Sequence, residues 1–180
     1  MKSLLLKSLA VMAAFAMSIT LSSCGDDNDE PQTPSAPTSS VTDYVLTSYI
    51  KPNTDMLTYF DIQVTYVANT GEVKTTTFNA AEFSQNDHYS PSNLPAALVL
   101  KAVAIPKSSY PSIDPAATYT LRADYYINLS GYDNNGTRLS TAGMMAPLHY
   151  QLPMDGAHLE TALTSGREFH LFNINEPIKK

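Results

Sequence analysis

From Tyr119 to Leu129 the chain changes character at every step. Tyr119, Leu121, Ala123, Tyr125, Ile127 and Leu129 alternate with Thr120, Arg122, Asp124, Tyr126 and Asn128. A period of two fits only an extended strand with one buried and one wet face, because successive β-carbons point to opposite sides of a strand. The segment reads as a long half-buried strand with one wet face. The same period recurs at Phe60, Ile62, Val64 and Tyr66, set between Asp61, Gln63 and Thr65. A turn at Asn69–Glu72 then leads to the threonine-rich Val73–Phe78, which predicts a hairpin with Gly71 at positive φ.

Leu98–Ile105 is apolar on both faces except for Lys101, and it lies between Pro95 and Pro106. It reads as a central strand. Tyr44–Ile50 and Glu168–Ile174 read as the first and last strands. Asp133-Asn134-Asn135-Gly136 is a strong turn, returning the chain into Thr137–Ala142, and Leu148–Leu152 adds a short strand. Asp155–Leu163 is open to two readings. Asp155 caps a short helix, or His158–Leu163 pairs across Thr164-Ser165-Gly166 with the last strand. Asn79–Asn93 and Lys107–Ala117 read as two long polar loops, with Tyr89 and Tyr110 beside prolines. The sum is an all-β, antiparallel sandwich of about 7–8 strands, immunoglobulin-like or transthyretin-like. No Cys…Trp…Cys framework is present, so an antibody-type domain is excluded.

The single cysteine, Cys24, fixes the organisation of the rest. Lys2 and Lys7 precede an apolar run, Ser8–Leu21, and the small residues Ser22 and Ser23 lead into Cys24. Charge, apolar run and small residues are the three parts of an export signal. The run is shorter than the roughly 20 residues of a spanning helix. Leu21-Ser22-Ser23-Cys24 resembles a bacterial lipobox. That resemblance implies cleavage before Cys24 and acylation of its thiol and new amino terminus. Each buried CH₂ adds about 0.8 kcal/mol, so several chains on one cysteine make a lasting anchor. An export segment of this kind is expected to stay unpacked from the domain.

Four carboxylates follow in five positions, Asp26-Asp27-Asn28-Asp29-Glu30. The run is similar to the acidic export signal of surface-exposed lipoproteins of the Bacteroidetes, although the leading Lys or Ser of some versions is missing. It implies an outer-membrane lipoprotein facing the cell exterior. Pro31, Pro34 and Pro37 then recur every third residue among Ser and Thr. This composition favours polyproline II, and Gly25–Thr42 could extend on the order of 55 Å at about 3.1 Å per residue. The expected organisation is therefore a signal peptide over 1–23, a lipidated tether over 24–42 and a sandwich domain over 43–180. The order of lipobox, acidic run, Leu94-Pro95-Ala96, the Pro106-Lys107 break, Tyr119-Thr120-Leu121 and the Asp133–Gly136 turn resembles small sandwich lipoproteins of the Bacteroidetes. That likeness implies a fold and no activity.

Loss of residues 1–23 removes two lysines and no acid, so the charge moves from −6 to about −8. An acidic chain without a basic stripe argues against nucleic acid. With Cys24 lipidated, no thiol remains for a disulfide, a metal or a nucleophile. His88, His149, His158 and His170 show neither His-x-His nor His-Glu-x-x-His spacing. No nucleophile elbow, phosphate loop or dinucleotide fingerprint occurs. Asp133–Gly136 resembles half a calcium loop without its closing glutamate, and reads as a hairpin turn. No cofactor and no metal are expected. The expected protein is not an enzyme, and a hydrolase of unrecognised type is the enzymatic alternative.

The remaining feature is tyrosine, with 11 Tyr and no Trp. Tyr126 falls on the polar side of its strand, and Tyr49, Tyr59 and Tyr132 could join it. Tyr126, Tyr132, Tyr89 and Tyr110 are the candidate binding residues. The competing explanation is ordinary cross-strand packing on a wet sheet face. The expected partners are the membrane, through acyl chains on Cys24, and a glycan or another surface protein. Three functions are in view: a surface binding or structural protein, a carbohydrate-binding accessory of a glycan-uptake system, and a surface fibre subunit.

Overall fold

The structure, a computed structural model, describes residues 39–178. The export segment, Cys24 and all of the tether up to residue 38 lie outside the described residues. Among the described residues, nine strands form two antiparallel sheets that pack face to face as a β-sandwich. The first sheet runs β4 (Phe83–Tyr89), β1 (Asp43–Pro52), β6 (Thr118–Tyr132) and β7 (Arg138–Gly143). β8 (Leu148–Asp155) also pairs with β6. The second sheet runs β3 (Val73–Phe78), β2 (Phe60–Val67), β5 (Ala97–Pro106) and β9 (Phe169–Pro177).

β6 is the alternating segment, and its length explains the first sheet. One edge pairs with β1 throughout Ala123–Tyr132. The other edge is shared, with Thr118–Tyr125 facing β8 and Asn128–Tyr132 facing β7. Leu121, Ala123, Ile127 and Leu129 point inward and are buried as the period requires. They meet Leu46 and Ile50 of β1 and, from the other sheet, Phe60, Ile62, Val64, Leu98 and Leu100. Each of these side chains larger than alanine contributes about 1.5–3 kcal/mol by leaving water. β5 lies between β2 and β9, with Lys101 on the outward side, as its flanking prolines and apolar run predict.

Two helices carry the chain between sheets. α1 (Thr54–Tyr59) joins β1 to β2. Its cap residue Asn53 accepts from the Met56 N–H at 3.1 Å and donates to the Thr120 carbonyl at 2.7 Å, which ties the helix to β6. α2 (Gly156–Thr164) joins β8 to β9. The Asp155 carboxylate accepts from the His158 N–H at 2.8 Å, and Leu159, Ala162 and Leu163 form the buried stripe. Asp155–Leu163 is thus a capped helix, the first of its two sequence readings.

Part of Asn79–Asn93 is a strand and not a loop. β4 occupies Phe83–Tyr89 and pairs with β1 from Tyr44↔Tyr89 to Ile50↔Phe83. Its middle, Ser84-Gln85-Asn86-Asp87-His88, has no apolar alternation. The reason is local: the inward Gln85 hydrogen-bonds with Ser48 at 3.0 Å, with Asp87 at 2.6 Å and with the Val67 carbonyl. A satisfied polar network replaces apolar burial there. Lys107–Ala117 remains a loop. At Asp133–Gly136 the Asp133 carboxylate accepts from the Asn135 and Thr137 N–H groups at 2.9 and 2.8 Å, and Gly136 takes φ 78°. Both bonds are those of a hairpin turn.

Candidate functional site

The register places every outward residue of the first sheet. Tyr49 of β1 lies directly opposite Tyr126 of β6. Their rings stack, with centroids 5.6 Å apart and planes 24° from parallel. Two rows of polar partners frame the pair. Toward one end, Lys51 faces Asp124, which in turn faces His149 of β8. The Lys51 ammonium stands 4.9 Å from the Tyr49 ring centre and 3.3 Å from the Glu82 carboxylate. The Arg122 guanidinium donates from Nε and Nη2 to Asp124 Oδ1, at 3.1 and 2.9 Å. Toward the other end, Thr47 donates to the Asn86 side-chain oxygen at 3.3 Å. His88 Nδ1 and Asp43 Oδ2 lie 2.8 Å apart.

This face offers an aromatic platform and, around it, donors and acceptors already held in pairs. The platform can stack against the C–H face of a flat ligand, and the rim can exchange hydrogen bonds with hydroxyls. Tyr126 has Tyr49 against it, and no other ring or cation stacks on it among the described residues.

The other candidate tyrosines separate from this pair. Tyr132 lies six residues along β6, roughly 20 Å at the rise of a strand, so it does not join the platform. Tyr110 stays in the Lys107–Ala117 loop and packs edge-on against Tyr59, centroids 6.2 Å apart. Tyr59 itself is a core residue at 5 % exposure and is no part of a surface patch. Tyr89 is a correction. It is 3 % exposed, lies at the end of β4 and donates its hydroxyl to the Ala68 carbonyl at 2.8 Å. Its position opposite Tyr44 turns the ring inward, so it cannot meet a ligand. Burial, reinforced by the Asp87 charge, pushes the Tyr89 hydroxyl up to about 12.

Lys51, Arg122 and Asp124 were not singled out from the sequence. The signal for Arg122 and Asp124 lies in the alternation itself, since they share the Tyr126 side of β6. Among the described residues, no three His, Cys, Asp or Glu side chains converge as a metal site would require. No described helix is long and apolar enough to cross a membrane. The chain matches no family model, no curated protein and no solved structure.

Proposed function

We propose that this chain is a non-enzymatic binding module, held by acyl chains on Cys24 at the outer face of an outer membrane, whose ligand is a glycan. The observation that carries the ligand class is the stacked Tyr49–Tyr126 pair on an open sheet face, ringed by Lys51, Arg122, Asp124, Thr47 and Asn86. A pyranose ring presents an apolar C–H face and a hydroxyl rim, and this surface is complementary to both. An aromatic pair on a strand face suits a polymer running across the sheet better than a small molecule in a cleft. The lipobox, the acidic run and the proline-spaced tether support the location. A sandwich of immunoglobulin-like or transthyretin-like type on a stalk is suited to presenting such a face away from the bilayer, and this would make the protein an accessory of a glycan-uptake system.

The test is a glycan array probed with the full chain and with Tyr126→Ala. Binding by the wild type and about five- to tenfold weaker binding by the variant are expected, since one aromatic contact is worth on the order of 1–1.5 kcal/mol. Absence of binding to any glycan at millimolar ligand would sink the reading.

A second reading, a surface fibre subunit, draws on the β7–β8 connection. Met145 in that connection is 82 % exposed, and Leu148, the first residue of β8, is 53 % exposed. Concentration-dependent polymers in sedimentation would favour it, and a clean monomer would remove it.

A further inference from the structure

Away from the tyrosine face, the open side of the sandwich holds a cavity of about 520 Å³ between the end of β8, α2 and the start of β9. Its volume lies in the range of small-molecule sites. The two faces of this cavity differ in chemistry. Leu152, Met154 and Phe169 provide an apolar floor, with Phe169 buried and the other two half-buried. Arg167, three residues beyond the end of α2, provides the charge. Its guanidinium carbon lies 5.1 Å from the Phe169 ring centre, so the cation is seated over the apolar floor.

Arg167 has no carboxylate within 4.0 Å among the described residues, in a chain where acids outnumber bases. Its field reaches Tyr150, the next inward residue of β8. Burial raises the Tyr150 hydroxyl above its ordinary pKa, and Arg167 opposes that rise. The one carboxylate of the lining, Asp155, is already engaged. Its Oδ1 accepts from the His158 N–H and lies 2.7 Å from His158 Nδ1, and these bonds hold its pKa below the ordinary value. The Thr161 and Ser165 hydroxyls donate to helix carbonyls and keep acceptor capacity only. Asp155 stays ionised, but its Oδ1 is taken by His158, so Arg167 is the charged donor this lining holds toward a ligand.

We propose that this cavity binds a small amphipathic carboxylate, with its hydrocarbon part on Leu152, Met154 and Phe169 and its carboxylate on Arg167. The planar guanidinium matches a carboxylate in two parallel hydrogen bonds, which a hydroxyl or an amine cannot form. Arg167 is exposed at the rim, so the complex is weak and exchanges rapidly. This site is separate from the tyrosine face, and failure of either leaves the other untouched.

The experiment is methyl NMR of the full chain titrated with octanoate, octanol and octylamine. These probes share a tail and differ in charge. Octanoate is expected to shift the Leu152 and Met154 methyl signals with a millimolar midpoint, octanol more weakly and octylamine not at all. Arg167→Gln should weaken octanoate about tenfold, to the level of octanol, and Arg167→Lys should restore part of the loss. Reading the shifts at named methyls separates this cavity from any binding elsewhere on the chain. The proposal is overturned if octanoate leaves these methyls unmoved, if octylamine matches octanoate, or if Arg167→Gln binds octanoate as the wild type does.

Discussion

At the scale of single residues, the tyrosines show how one residue type takes opposite roles in one sheet. Tyr126 and Tyr49 fall on outward positions and form a platform. Tyr89 falls on an inward position and becomes a buried hydrogen-bond donor. The difference has a measurable consequence in alkali. Tyr89 is neutral in the fold up to about pH 12, whereas the unfolded chain releases that proton near the ordinary value of 10. The folded pKa is the higher one, so the stabilisation is complete below pH 10 and is lost as pH rises toward 12. About 2–3 kcal/mol is at stake across that window. Tyr89→Phe should lose about 1 kcal/mol at neutral pH, for the hydroxyl bond to Ala68, and should show a shallower loss of stability between pH 10 and 12. Urea melts across that range read both effects.

At the scale of elements, eight strands were legible, most because their apolar residues alternate or run together, and Val73–Phe78 and Thr137–Ala142 because a turn leads into each. The hairpin turn at Asp133–Gly136 was legible because its residue types each serve a turn geometry. Two elements were not. β4 replaces apolar alternation with the Gln85–Ser48–Asp87 network, and such a network has no period to read. α1 is six residues long, too short to show a helical period. α2 was legible as one of two options, with Asp155 as its cap. Its start also depends on a close approach that a sequence cannot show. A β-carbon at Gly156 would meet the Asp114 carbonyl of the Lys107–Ala117 loop, and the Gly156 N–H donates to the Ala117 carbonyl at 2.9 Å. Gly156→Ala should therefore destabilise the domain by about 1–3 kcal/mol, despite the better helix propensity of alanine. A thermal melt that rises or stays level would remove this account of the α2 junction.

At the scale of the whole molecule, the candidate site was legible only in part. Tyr126 stood out because it broke the polar side of an alternating strand. Which partner faced it was a matter of register between β1 and β6, whose paired residues lie 71 to 89 positions apart in sequence, and periodicity within one strand cannot fix pairing between two. Arg167 and its cavity arise where two sheets and a helix meet, so no local pattern marks them. The proposed anchor rests on sequence alone and has its own test. Metabolic labelling with an alkyne fatty acid in a bacterial host should mark the wild-type chain and leave Cys24→Ala unlabelled. Equal labelling of both would remove the lipid from the account.

The outer face of the first sheet is the proposed glycan surface. The most direct measurement is a backbone NMR shift map of the full chain, titrated with the best glycan found on the array. The map should centre on Thr47, Tyr49, Lys51, Arg122, Asp124 and Tyr126 and fade before Tyr132 and Tyr110. Shifts confined to the far sheet, to the cavity at α2 or to the Lys107–Ala117 loop would contradict it.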